Sequence, residues 1–170
     1  MRGAPPDPVQ AVDARGSERS LVVFMLEEQR YALDLHRVRR ALRLVAVTPL
    51  PGAPPVVSGI VDLGGEVLPV IDLRHRFGHP PRAPRLSDHL VVASTGRRVV
   101  ALHVDEAGGV LAVPRASVAL GDEIRLRLEL VEGAVRLPDG LVLIHDLERL
   151  LSLEEDAALA RAMSAAEPAP

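Results

Sequence analysis

The 170-residue sequence contains no lysine, no cysteine, no asparagine and no tryptophan, and all 20 of its Lys-or-Arg positions are arginine. Without lysine there is no phosphate-loop lysine and no Schiff-base or kinase-type catalytic lysine. Without cysteine there is no thiolate nucleophile, disulfide frame, iron–sulfur ligand or cysteine-based zinc site. Without asparagine there is no N-glycosylation acceptor. Phe24, Tyr31 and Phe77 are the only aromatic side chains, too few for the stacking platform of a single-stranded nucleic-acid binder. These gaps leave a binding module, or an enzyme restricted to His, Asp, Glu, Ser and Arg.

A net charge of -3 disfavours a polyanion binder, whose affinity comes from counterion release by a basic surface. A hydrophobic fraction of 48% excludes wholesale disorder. No apolar run approaches the ~18 residues of a membrane span, and the proline-rich start lacks a signal-peptide core, so a cytoplasmic protein without membrane insertion is expected. Residues 1–19 and 165–170 are rich in Pro, Ala and charge and are expected to be disordered tails.

Between the tails, short apolar runs separated by Gly and Pro predict strands. Residues 21–26 and 31–35 flank a polar turn, and residues 56–63 and 66–73 flank Gly64-Gly65, a dipeptide suited to a tight hairpin. Both strands of the second pair are apolar at nearly every position, which predicts burial on both faces. Residues 36–44 (HRVRRALRL) place Val38, Ala41, Leu42 and Val45 at helical spacing and predict a short amphipathic helix. Pro49, Pro51, Pro54 and Pro55 then force an irregular connection. The Pro/Arg-rich stretch 74–87 reads as a linker and as the split between two lobes. Strands are predicted at 89–94, 99–104, 110–113, 124–135 and 141–144, followed by a helix that starts at Asp146 and extends or restarts over 154–163. The expected domain is 20–153, with a helix and tail over 154–170. The pattern predicts an all-β architecture of two small barrels packed together.

Candidate chemistry is sparse. His75 and His79 are four apart, but Gly78 and Pro80 oppose a helix and no glutamate stands where a zinc protease would hold its base, so no metal is expected. Asp72, Asp105 and Asp146 each end an apolar run, where a carboxylate caps the following turn. Ser58 and Ser94 lack a nucleophile elbow, and Gly64-Gly65 and Gly108-Gly109 are not phosphate loops, so neither catalytic residues nor a cofactor is expected. The arginines at 37, 39, 40 and 43 are the sharper feature: a solvated polar face, or a docking face for an acidic partner.

The order of segments resembles the CheW-like family of chemotaxis coupling proteins. LVVFMLEEQRYALDLHRVRRAL resembles that family's opening, and TPLPGAPPVVSGIVDLGGEVLPVIDL its central signature of a proline-rich connection and a hairpin. GRRVVALHVDEAGGVLAV and VEGAVRLPDGLVLIHDLERLL are similar to its second-lobe core and closing strand and helix. The resemblance implies an all-β fold of two five-stranded SH3-like barrels around a shared core, with short helices. It also implies a non-catalytic adaptor that couples a methyl-accepting chemoreceptor tip to the regulatory domain of a CheA-type histidine kinase, at receptor arrays on the inner membrane. Carried over position by position, the candidate partner contacts are Val38, Gly59, Val99 and Val104, each of which is equally a plain core position. Two departures add Arg39, Arg40, Gly64 and Gly65. The family hairpin usually reads Asn-Leu-Arg-Gly where this chain has Asp62-Leu63-Gly64-Gly65, and its first helix commonly carries an acid where this chain has Arg40. The implied adaptor therefore has an altered partner preference and belongs to a divergent pathway. The alternatives are the same fold using arginines 37–43 on nucleic acid or another acidic partner, and a His/Asp hydrolase.

Overall fold

The computed structural model describes residues 17–119 and 129–167. Strands dominate: β1 Glu18–Leu26, β2 Gln29–Asp34, β3 Val38–Arg43, β4 Val57–Leu63, β5 Glu66–Asp72, β6 His89–Ser94, β7 Val99–Val104, β8 Glu106–Pro114, β9 Val118–Ala119, β10 Val131–Leu137 and β11 Gly140–His145. Helix α1 covers Leu73–Phe77 and helix α2 Leu153–Ala166, while Leu35–Arg37, Arg115–Ser117 and Leu147–Arg149 form single 3-10 turns.

The strands make two sheets, in the orders β3-β6-β7-β5-β4 and β8-β1-β2-β11-β10-β9. The first closes into a barrel because the chain leaving β3 returns to pair Thr48 with Ile60 of β4. In the second, β8 bends through Arg115–Ser117 into the two-residue β9, so both act as one strand wrapped around the sheet. Alternate side chains of the first barrel fill its interior (Val61, Leu68, Val70, Leu90, Val92, Ala101). Leu21, Ala32, Val135 and Ile144 fill the second. The opposite faces meet in a third and largest core between the barrels, where Val91, Leu102 and Ile71 meet Phe24, Leu33 and Leu143. Strand β5 is covered on both faces from Leu68 to Ile71, but Ser58 and Asp62 of β4 and Val67 of β5 are exposed, so the burial expected over 56–73 holds only in part.

The lobes do not divide at 74–87. Hairpin β1–β2 belongs to the second barrel and hairpin β6–β7 to the first, so each barrel borrows a hairpin from the other half of the chain. Parallel pairings of β5 with β7 and of β2 with β11 seal the exchange. The stretch read as a linker begins with α1, capped by the Asp72 carboxylate, and buries Arg74. Residues 36–44 are not a helix. A 3-10 turn leads into β3, whose Leu42 turns toward the barrel interior, because pairing with β6 outweighs the modest helix preference of Arg, Ala and Leu. Of the expected tails, Glu18 and Arg19 lie in β1 and residues 165–166 in α2, while 1–16 and 168–170 lie outside the described residues. Residues 124–128 of the strand expected over 124–135 are likewise outside, and β10 begins at Val131. The terminal helix restarts rather than extends: α2 has its own Ser152/Glu155 capping box and buries Leu159 and Ala162 on the shared core.

Three devices hold this arrangement. Gly59 adopts φ +156° directly under the returning chain, and a Cβ there would run into the Thr48 carbonyl oxygen. The three aromatics form one stack between the barrels: Phe24 on Tyr31 at 5.6 Å, Tyr31 on Phe77 at 4.7 Å, with the His145 ring edge-on to Phe77 at 4.9 Å. His145 is buried, and its Nδ1 lies 2.8 Å from the Leu130 carbonyl, which makes Nδ1 the N–H donor of a neutral ring. Finally, the buried Arg74 guanidinium makes a two-point pair with Asp105 (2.8 and 2.5 Å) and also holds Glu27 and the Pro80 carbonyl.

Gly59→Ala is expected to destabilise the chain by at least about 2 kcal/mol in denaturant unfolding, since it combines strain with a backbone clash; a loss within error of zero would show that the closure does not need glycine. Burial lowers the His145 pKa from 6.5 to about 4. Between those values the unfolded chain binds a proton that the folded chain refuses, so this group's contribution is complete above pH 6.5 and fades as pH falls toward 4, by about 3 kcal/mol in total. Unfolding titrations of His145→Leu should lack that slope. Arg74→Ala, which strands Asp105 and Glu27, should cost about 3–5 kcal/mol, and Arg74→Met with Asp105→Leu should cost much less; equal costs would remove the ion pair from the account.

Candidate partner-binding surface

Strand β3 starts at Val38, half-buried at the margin of the shared core opposite Ala93. A bulge follows, and Arg39 and Arg40 emerge exposed. Arg39 reaches the tip of the β4–β5 hairpin, where its Nη1 lies 3.2 Å from Glu66 Oε1. The tip turns through Gly64 (φ +70°) and Gly65 (φ +94°), and the Gly65 N–H donates to Asp62 Oδ1 at 2.7 Å. The Arg39–Glu66 contact thus brings Arg39 to the Gly64-Gly65 tip, with Val38 and the exposed Arg40 flanking Arg39 on β3. Arg40 has no acidic partner among the described residues. The Arg39–Glu66 pair is about half exposed at both ends and is worth under about 1 kcal/mol, so a partner can break it cheaply.

The other candidates do not join this surface. Val104 is fully buried in the shared core and is a packing residue. Gly59 is buried, and its missing side chain serves barrel closure. Val99 is half-buried and packs toward the first barrel's interior, on the opposite side of the sheet from Val38. The surface gains one residue that sequence reasoning passed over: Val67, 47% exposed beside the hairpin tip. The signal was available, because Val67 lies within two positions of a Gly-Gly turn where a strand end has no cover.

The arginines of 37–43 form no single face. Arg37 donates to Glu148 across the barrels at 2.8 Å and Arg39 is held by Glu66, leaving Arg40 and Arg43. The surface also lacks reaction machinery. Asp72 and Asp146 cap the turns that follow them, through the His75 and Glu148 N–H groups. Asp105 is committed to Arg74 and to Arg82 at 2.8 Å. His79 Nε2 pairs with the Tyr31 hydroxyl at 2.9 Å while His75 is exposed, and among the described residues no three His, Asp or Glu side chains converge as metal ligands. One His–Asp pair exists, His103 Nε2 with Asp88 Oδ2 at 2.8 Å, but the Ser58 hydroxyl is turned to the Val70 carbonyl at 3.4 Å. Burial pushes the Asp88 carboxyl up, yet Arg82, the Arg85 N–H and His103 outweigh it and hold its pKa at about 2. That carboxylate is a fixed structural anion.

Comparison with known proteins agrees with this geometry. Residues 20–155 match the CheW-like domain family. The probable chemotaxis protein CheW of Rhizobium etli is 30% identical over 143 residues, covering 83% of this chain and 92% of that protein. Protein FrzA of Myxococcus xanthus is 34% identical over 116 residues, 66% of this chain and 70% of that one. The crystal structure of the scaffolding protein TtCheW from Thermoanaerobacter tengcongensis matches with a TM-score of 0.74 at 28% identity, over 81% of this chain and 94% of that one. With two interlocked barrels, a shared core and a family match over most of its length, the chain belongs to the CheW-like domain family.

Proposed function

We propose that this chain is a chemosensory coupling adaptor that joins a chemoreceptor tip to the regulatory domain of a CheA-type histidine kinase, and that it does so without catalysing a reaction. The observation that carries the reading is the surface of β3 and the β4–β5 hairpin: Val38 and Val67 offer apolar contact, Arg39 reaches Glu66 at the glycine tip, and the neighbouring Arg40 is exposed with no acidic partner among the described residues. An adaptor must present rigid, exposed recognition groups and no reactive ones, and this surface has that character. Among the described residues no helix is long and apolar enough to cross a membrane, which fits a protein recruited to receptor arrays from the cytoplasm.

Arg40 and Gly64 set the partner preference. An acid-to-arginine exchange reverses the local charge, rejecting a partner shaped for the acid and accepting an acidic one. A glycine in place of the hairpin arginine removes a multi-donor fork. The resemblance to FrzA, from a protein set named apart from CheW, favours a divergent chemosensory pathway. The nucleic-acid alternative loses ground, because two of the four arginines are already neutralised and the segment is a strand rather than a groove-reading helix.

Titration calorimetry with the purified kinase regulatory domain and receptor tip from the same organism tests the proposal. The native chain should bind at least one of them, and Arg40→Glu should change that affinity by at least about tenfold. No binding to either, or binding indifferent to Arg40→Glu and to Gly64→Arg, would refute it.

A further inference from the structure

Past the end of β3, beyond the Arg39–Gly65 surface, a groove of ≈ 700 Å³ opens between residues 44–47 and the loop carrying Pro84, Arg85 and Leu86. One part of its wall is aliphatic. Leu44 and Val47 pack inward against the barrel interior, Val45 is 41% exposed, and Leu86 is 90% exposed, the most exposed large apolar side chain among the described residues. This loop is fastened from beneath. Arg82 grips the buried Asp88 at two points (3.0 and 2.7 Å), the Arg85 N–H donates to the same carboxylate at 2.9 Å, and the Asp88 N–H donates back to the Arg85 carbonyl at 3.0 Å. Leu86 is thus held outward by a buried anchor, and the ordering entropy that weakens a loose loop's binding is already lost in folding.

Most polar groups lining the groove are already paired, and the Arg85 guanidinium is the exception. The Arg85 guanidinium has no acidic partner among the described residues. Arg43, also without an acid, lines the adjoining cleft together with Arg82 and Arg85. Of the nearby carboxylates, Asp72 is committed to the cap of α1, Asp88 to Arg82 and His103, and Asp105 to Arg74 and Arg82, while Glu106, exposed in the adjoining cleft, is the one acid left facing it among the described residues. A volume of this size accommodates a few residues of a peptide. We infer that the groove is a second docking site, for a partner protein segment that sets a carboxylate beside an aliphatic side chain: the carboxylate on Arg85 and Arg43, the aliphatic group against Val45 and Leu86. Occupation would leave the β3–hairpin surface free, so one chain can hold this segment and its other partners at once.

Selection of a random-peptide phage library on the full-length chain, followed by binding of the recovered peptide in solution, is the test. The expected result is enrichment of sequences with Asp or Glu next to Leu, Ile, Val or Met. Binding should weaken at least about tenfold in Arg85→Glu and in Leu86→Asp. Both positions are exposed, so both variants should melt with the native chain, and amide shifts on peptide addition should map to residues 44–47 and 85–86. Enrichment of basic or purely apolar sequences, indifference to both substitutions, shifts confined to other surfaces, or no enrichment would each overturn the inference. Kinase or receptor binding retained by Arg85→Glu separates this site from the coupling surface.

Discussion

The buried guanidinium of Arg74 sits where the chain crosses from one barrel to the other. It projects from α1, at the end of a first-barrel strand, to Asp105, the single residue between β7 of the first barrel and β8 of the second. It also holds Glu27, in the β1–β2 turn of the second barrel. The exchange of hairpins works only if the crossovers stay in register, and a forked, two-point ion pair fixes register in a way that apolar contact alone does not. The other crossover, from β2 to β3, carries a matching device with the signs reversed: Arg37, at the crossover, pairs with Glu148, two residues past Asp146 as Arg74 is two past Asp72. That second pair is exposed and weaker, so the buried one bears most of the constraint.

From this constraint follow the shared core and its use. Because each barrel borrows a hairpin, the faces of four hairpins meet between the barrels, and the aromatic stack of Phe24, Tyr31 and Phe77 lies there. The chain's few aromatics are spent on joining the halves. What remains outside is a pair of closed barrels whose edges are wrapped by their own connecting chain, which limits indiscriminate strand pairing. Strand ends, hairpin tips and the loop around Leu86 carry the exposed groups on which the proposed recognition rests. A coupling protein gains from this arrangement, since partners on different faces are held at a set distance by a stiff body.

Much of this was legible in the sequence. Turn chemistry marked the Gly64-Gly65 hairpin, and the doubly apolar run of β5 marked burial on both faces from Leu68 to Ile71. The family resemblance implied a pair of barrels but put GRRVVALHV in the second lobe, whereas β7 lies in the first barrel. Residues 36–44 misled because their apolar spacing satisfies a helix, and the pairing with β6 that decides otherwise is long-range. The stretch 74–87 misled because arginines among prolines read as solvated, whereas Arg74 and Arg82 both reach the distant Asp105, and Arg82 also grips Asp88 just past the stretch. One signal went unread: Gly-x-Val-x-Leu followed by Asp-Leu occurs at Gly59–Leu63 with Asp72-Leu73, and again at Gly133–Leu137 with Asp146-Leu147. Both copies form a bulged hairpin and a capped turn, so the repeat predicts the pseudo-symmetry, though not the exchange of hairpins. Of the proposed site, Arg40 and Gly64 were visible as departures from a pattern, while Val104 was indistinguishable from a contact residue until its burial was known.

The central claim is that interlocking makes the two barrels one cooperative unit. Native-state hydrogen exchange measures this directly, by comparing the opening free energies of amides in the β6–β7 ladder of the first barrel and the β1–β2 ladder of the second. The slowest amides of both ladders should exchange with one common free energy, equal to that of global unfolding. Two distinct values, with one barrel opening while the other stays protected, would contradict it.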